Sequence, residues 1–98
     1  MKWRVTIRPR AERDLSEARN WYEGQSTGLG DKFVEVMRSA TLGMEVNAEV
    51  WPEYYRGFRR VLLSTFPYKV FYRLVGDRVI VFRILHAGQE HQRLLRVR

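Results

Sequence analysis

The stretch FPYKVFYRL, residues 66–74, decides the fold that this sequence predicts. Its two basic residues, Lys69 and Arg73, are four apart between apolar and aromatic residues, which fits the period-two pattern of a β-strand with two different faces. One face carries Tyr68, Val70, Tyr72 and Leu74, and the other carries Lys69, Phe71, Arg73 and Val75. Proline costs no ladder hydrogen bond at the first position of a strand, so Pro67 marks where the strand begins. We expect one face to pack under helices and the other to remain available for a partner.

A short strand and two helices are predicted before this stretch. Residues 3–7 alternate apolar and polar side chains, and Pro9 suits the first turn of a helix that follows. Apolar residues at helical spacing predict helices over about 11–24 and 29–44. Because the connector between them is so short, we expect the two helices to form an antiparallel hairpin.

Three strands are predicted in the second half of the chain. They span residues 58–64, 68–75 and 78–86, and Gly76-Asp77 gives a hairpin turn between the last two. Residues 47–57 are predicted to be a loop, and the tail 88–98, with Leu94, Leu95 and Val97, an edge strand or a short helix. The order β-α-α-β-β-β predicts one α+β domain over residues 1–98, with a helical hairpin packed on an antiparallel sheet.

The charge of the chain is strongly asymmetric. The formal net charge is +7, and residues 50–98 carry all of this excess, with ten Lys/Arg against three Asp/Glu. Such a field favours an acidic partner, either nucleic acid or an acidic protein. There is no cysteine, no apolar run long enough for a membrane span and no signal-peptide pattern, so we expect a cytoplasmic protein that does not enter a membrane.

Six basic residues lie on the predicted strands with almost no acids among them. They are Arg59, Arg60, Lys69, Arg73, Arg78 and Arg83. They indicate either a binding face that contacts phosphates without reading sequence or a solvated face. Trp51 lies in a loop with Tyr54 and Tyr55, which either caps the core or forms an interaction patch. The sequence shows no Ser/His/Asp set, metal-ligand spacing or phosphate-binding glycine loop, so we predict no cofactor and no metal.

The arrangement of these segments resembles a known family. The most specific match is the pattern Arg59-x-x-x-Leu63-x-x-Phe66-Pro67-Tyr68-x-Val70-x-Tyr72, which follows a helical hairpin and precedes a strand ending in Leu85-His86. These features are similar to the ParE/RelE superfamily of toxins from bacterial type II toxin–antitoxin modules. The resemblance implies the α+β fold above and a cognate antitoxin, whose acidic, disordered C-terminal segment folds onto the toxin in a hetero-oligomer.

The resemblance leaves two activities open. RelE-like members are ribosome-dependent ribonucleases that cut mRNA, whereas ParE-like members are not nucleases and poison DNA gyrase. Of the ribonuclease positions, Arg59 and Lys69 keep a basic residue, while Val61, Gln89 and Leu95 replace the groups expected there.

His86 and His91 are possible substitutes for the missing proton-transfer group. The Phe-Pro-Tyr start and the replaced cations favour the ParE-like branch, although Ala87-Gly88-Gln89 lacks the arginine common there. We therefore predict a gyrase-directed toxin, with a ribonuclease acting on ribosome-bound mRNA, or an inactive antitoxin-binding remnant, as alternatives. The predicted partner-binding residues are Arg59, Arg60, Lys69, Arg73, Arg83 and Trp51.

Overall fold

A computed structural model describes residues 2–96 of the chain. In chain order the elements are β1 (Arg4–Ile7), α1 (Pro9–Gln25), α2 (Leu29–Asn47), β2 (Glu53–Tyr55), β3 (Phe58–Leu62), β4 (Tyr68–Val75), β5 (Arg78–His86) and α3 (His91–Leu94). The five strands form one sheet in the order β1-β5-β4-β3-β2. The α+β prediction, with a helical hairpin on a largely antiparallel sheet, is confirmed.

Two details of the sheet differ from the sequence prediction. β1 runs parallel to β5, with Arg4 opposite Arg78, while the other pairs are antiparallel. A three-residue strand, β2, lies inside the segment predicted to be a loop and pairs with the start of β3. The tail forms the short helix α3, and Val97 lies outside the described residues.

The start of β4 follows the proline as predicted. Tyr68 is the first residue of β4, and its backbone carbonyl accepts a hydrogen bond from Leu63 N at 2.9 Å. The backbone carbonyl of Pro67 accepts a hydrogen bond at 2.8 Å from the N–H of Ala87, which follows the end of β5. Pro67 therefore bonds to the neighbouring segment through its carbonyl alone, and its missing N–H costs nothing there. Thr65, in the tight turn between β3 and β4, adopts a left-handed conformation (φ +67°).

The helical hairpin is closed by a carboxylate and a glycine. Glu23, near the end of α1, accepts hydrogen bonds from Gly28 N and Gly30 N, both at 3.0 Å, at the start of α2. A side chain at position 30 would bring its Cβ to 2.6 Å from Arg19 O. Only glycine therefore allows the two helices to approach this closely.

The main core lies between the helical hairpin and one face of the sheet, which we call the helix face. Tyr68, Val70, Tyr72 and Leu74 all point into this core, as their shared parity predicts. The rings of Tyr22, Phe33, Phe66 and Tyr68 form an aromatic cluster, with neighbouring centroids 4.8–6.1 Å apart.

The opposite face of the sheet, the outer face, has a smaller core of its own. Phe58, Phe71, Leu85 and Leu95 are buried there. His91 of α3 packs on Phe71, with ring centroids 4.9 Å apart. The sequence predicts that this face is available for a partner. In the structure the tail covers much of its apolar part, and charged residues form the rest of the face.

No helix within residues 2–96 is both long enough and apolar enough to cross a membrane.

Candidate interaction surfaces

Asp14 accepts four hydrogen bonds, three of which join α1 to β5 and one of which comes from within α1. Its buried carboxylate accepts from Arg83 Nε at 2.8 Å and Nη2 at 3.2 Å, from Arg10 Nη1 at 2.7 Å and from Ile84 N at 3.0 Å. The parallel partner β1 ends at Ile7, so this stretch of β5 has no strand on the side opposite β4. The carboxylate therefore takes the place of a strand carbonyl at that edge.

A cleft of about 580 Å³ opens beside this junction, between α1 and the ends of β4 and β5. Trp21 forms part of its wall and is 59% exposed, while Tyr22 and Tyr68 are half-buried beside it. Burial raises the pKa of both phenols above the ordinary value of 10.0, so at neutral pH, as for any tyrosine, both hydroxyls are protonated and can donate hydrogen bonds. An exposed indole beside phenolic donors is typical of a surface that holds an apolar anchor of a partner.

His86 lies at the rim of this cleft. Its ring contacts Tyr68 edge-on at 5.3 Å between centroids, and its Nδ1 accepts a hydrogen bond from Gly88 N at 3.0 Å. His91 is buried on the outer face, where its Nε2 contacts His86 O at 2.8 Å. The two histidines therefore occupy opposite faces of the sheet and do not form one site.

On the outer face, arginines lie over aromatic rings. The Arg60 guanidinium carbon is 3.8 Å from the centre of the Tyr54 ring, and that of Arg73 is 4.1 Å from the centre of Phe58. Arg8 lies 4.5 Å from the centre of Phe82 in the same way. Such stacking holds each guanidinium in place and leaves N–H groups at its edge as donors. Lys69 is half-buried on this face, opposite Leu85.

Arg59 does not join the outer-face arginines. It pairs with Tyr72 across the sheet and donates to Trp51 O at 2.5 Å and Glu49 O at 3.2 Å. Trp51 packs against the main core, so this end of the loop caps the core. Tyr72 reaches the same segment, and its hydroxyl donates to Ala48 O at 2.7 Å. Burial raises the pKa of Tyr72 to about 12.

The site residues predicted from the sequence are thus divided between the two faces of the sheet. Arg60, Lys69 and Arg73 share the outer face, while Arg59 holds the 48–51 segment and Arg83, with its side chain 14% exposed, is paired to Asp14. Arg78 lies beyond them at the hairpin turn, opposite Val75. The four candidate ribonuclease residues, Arg59, Lys69, His86 and His91, are not brought together.

Sequence reasoning missed Asp14 and Arg10 as parts of a site. Asp14 is an acid among arginines in the first half of α1, which by itself matches the preference of helix N-termini for negative charge. Asp14 could be an acid that only suits the helix N-terminus, or a buried group that binds another element. Its position on the buried side of α1, in phase with Ala11 and Ala18, separates these two interpretations. A carboxylate at that phase needs cationic partners from another element.

Comparisons with known proteins agree with the fold. In solved structures, the chromosomal ParDE toxin–antitoxin system from P. aeruginosa gives a TM-score of 0.65 at 16% identity, covering 89% of this chain and 98% of that one. The RelBE2 toxin–antitoxin complex from Mycobacterium tuberculosis gives 0.62 at 17% identity, covering 88% and 99%. At these identities the likeness concerns the fold alone. Among the curated proteins, no sequence matches this chain.

The sequence profile of one family matches nearly the whole chain. It is described as the ParE toxin of the type II toxin–antitoxin system, parDE, and the match runs over residues 5–91. This range contains both long helices, β2 to β5, all of β1 except Arg4, and the Phe-Pro-Tyr motif. The chain therefore belongs to the ParE toxin family of type II toxin–antitoxin systems.

Proposed function

We propose that this toxin is neutralised by a cognate antitoxin and that, when released, it acts on DNA gyrase rather than cutting mRNA. The observation that carries the choice of target is the dispersal of the candidate catalytic residues. A ribonuclease needs a proton-transfer group within hydrogen-bond reach of cations that contact the scissile phosphate. Arg59 lies opposite Tyr72 and His86 opposite Tyr68, so four residues of β4 separate these two on the helix side of the sheet. On the outer face, His91 is buried and its Nε2 contacts His86 O rather than Lys69.

The antitoxin is expected to bind at the open edge of β3. β2 pairs only with the first two residues of β3, so beyond them this edge has no strand partner within residues 2–96. Leu63 N bonds to β4, and because hydrogen bonding alternates along an antiparallel strand, the N–H and C=O of Leu62 point away from β4. An extended peptide segment would add there as a further strand.

A groove beside this edge provides the side-chain contacts. It has a volume of about 260 Å³ and lies between α2 and β3, with Val36, Ala40 and Leu63 in its wall. Leu62 is 64% exposed at its rim. The groove itself carries no charge and is largely apolar, so it would hold apolar side chains of the peptide, while the net charge of +7 attracts an acidic peptide to the toxin as a whole.

The target is tested with purified components. The toxin is incubated with gyrase, ATP and supercoiled plasmid, and we expect linear DNA to accumulate after the proteins are removed. The matched control omits gyrase, and a parallel reaction holds the toxin with ribosome-bound mRNA. New mRNA ends without linear DNA would contradict the proposal and support the ribonuclease. Neither product, with antitoxin binding intact, would support an antitoxin-binding remnant.

A further inference from the structure

A second cleft, of about 230 Å³, lies on the outer face between the start of α1 and the tail. Phe58 and Phe82 form its apolar floor. Four guanidinium groups surround it: Arg8, Arg10, Arg83 and Arg96. We call it the arginine cleft, and none of its lining residues is acidic.

The charge of the arginine cleft is only partly compensated. Asp14 pairs with both Arg10 and Arg83, and one carboxylate cannot neutralise four guanidiniums. Arg8 and Arg96 are exposed and form no ion pair within the described part of the chain. The N-terminus of α1 lies at the same place with no side-chain cap on its N–H groups, and the one acid in its first turn is Glu12, which does not line the cleft.

The cleft is held in shape by packing and by hydrogen bonds. Arg8 is fixed next to β5 because its N–H donates to Val81 O at 3.0 Å, and its guanidinium lies over Phe82. Arg83 joins the other side, where Nη1 donates to Leu94 O at 3.3 Å. Guanidiniums that are held in place, as those of Arg8 and Arg83 are, present donors in the planar geometry that phosphate oxygens accept.

Arg73 extends the same surface. Its guanidinium lies 4.1 Å from the centre of Phe58 and 5.4 Å from that of Phe82, in the floor of the cleft. Its Nε is buried with no hydrogen-bond partner among the described residues. Its Nη2 donates to Arg56 O at 2.8 Å, so this bond and the two rings hold the guanidinium in place.

We propose that the arginine cleft binds a phosphodiester group of duplex DNA, so that the toxin contacts DNA directly. This proposal rests on the proposed function, since gyrase holds duplex DNA. The aromatic rings of this face are already covered by Arg8, Arg60 and Arg73, so bases have no open ring on which to stack. That favours contact with the backbone of a duplex over binding of a single strand.

The test is the salt dependence of binding to a fluorescent 20-base-pair DNA duplex, measured by anisotropy with full-length toxin. Arg8→Gln and Arg96→Gln each remove one phosphate contact. Each is expected to weaken binding about five- to tenfold at 100 mM salt and to reduce the slope of log K against log salt by about 0.9. Both side chains are exposed, and circular dichroism checks that the variants fold.

The matched control is Arg38→Gln on α2, which makes the same chemical change away from the outer face. We expect wild-type affinity and slope for this variant. An equal loss for Arg38→Gln, or wild-type slopes for Arg8→Gln and Arg96→Gln, would overturn the proposal. Tighter binding of a single-stranded RNA of the same length would overturn the choice of duplex DNA.

The same variants separate this inference from the proposed function. If wild-type toxin binds the duplex through Arg8 and Arg96 but never causes gyrase to accumulate linear DNA, the choice of gyrase fails and the phosphate site stands. If linear DNA accumulates equally with Arg8→Gln, Arg96→Gln and wild type, and their duplex affinity is unchanged, the site fails and gyrase stands.

Discussion

The hydroxyl of Tyr72 contributes a contact that a phenylalanine cannot replace. It is fully buried and donates to Ala48 O at 2.7 Å across the gap between β4 and the end of α2. Tyr72→Phe leaves the Ala48 carbonyl without this donor, and we expect the free energy of unfolding to fall by about 1–2 kcal/mol. Urea unfolding measures this free energy. The control is Tyr55→Phe on β2, because the side chain of Tyr55 is only half-buried. Equal effects of the two substitutions would contradict the assignment.

The same residue makes folding sensitive to alkali. Burial raises the pKa of Tyr72 from 10.0 to about 12, with Arg59 opposing the shift. Between these values the unfolded chain has released the phenolic proton and the folded chain still holds it. The stabilisation is therefore complete below pH 10 and is lost as the pH rises towards 12. Tyr72→Phe should lose less stability over this range than the wild type, in the same urea experiment.

At this scale the sequence predicts the faces of β4 correctly but not the contacts of its long side chains. Strand parity places Tyr72 and Arg73 on opposite faces, as observed. Parity also places Arg59 on the helix face, but it does not predict that a flexible arginine donates to Trp51 O eight residues away. Guanidinium groups reach several ångströms beyond Cβ, so their partners depend on the loop geometry, which has no periodic signal.

The contact between α1 and β5 depends on the buried ion pair of Asp14 with Arg83. Asp14→Asn removes the negative charge and leaves a guanidinium that is 14% exposed without a counter-ion. Breaking a buried pair costs about 3 kcal/mol or more. For a chain of this length we expect the melting temperature to fall by more than about 10 °C.

The control for this prediction is Asp31→Asn, because Asp31 pairs with Arg19 on the surface and is 76% exposed. Surface pairs contribute at most about 1 kcal/mol, so its melting temperature should change by only a few degrees. Thermal unfolding followed by circular dichroism measures both variants. Similar shifts for the two would show that Asp14 does not hold α1 against β5.

Among the elements, the sequence predicts those with a clear period. α1, α2, β4 and β5 all have strong patterns and short turns, and the predicted ranges of β4 and β5 agree with the structure. β2 has three residues, too few for a pattern, and it forms because β3 offers an edge beside it. The parallel pairing of β1 with β5 joins segments more than seventy residues apart, which only the folded topology decides.

Across the whole molecule, that same pairing assembles the arginine cleft. Arg8 and Arg10 come from the start of the chain, Arg83 from β5 and Arg96 from the tail. The first half of the chain has no net charge, so composition directs attention only to the second half. The sequence predicts that the protein has a positively charged surface. It does not predict the arginine cleft, because Arg8 and Arg10 come from residues 1–49, which have no net charge.

The α2–β3 groove and the arginine cleft have no residue in common, so each should bind its partner independently. Leu62→Gln removes an exposed apolar side chain at the groove without changing the charge of the toxin. Burying a leucine contributes about 1.5–3 kcal/mol, so the affinity for the antitoxin should fall at least about tenfold. Isothermal titration with the cognate antitoxin measures this change.

Val75→Gln is the matched control, because Val75 is also an exposed apolar strand residue but lies at the far end of β4. It should retain wild-type affinity for the antitoxin, and both variants should retain wild-type affinity for duplex DNA, since distant sites without shared partners act additively. If Arg8→Gln weakened antitoxin binding as strongly as Leu62→Gln does, the antitoxin would have to cover the arginine cleft as well. Neutralisation would then follow from competition with DNA for the same guanidiniums, and the two surfaces would no longer be separable.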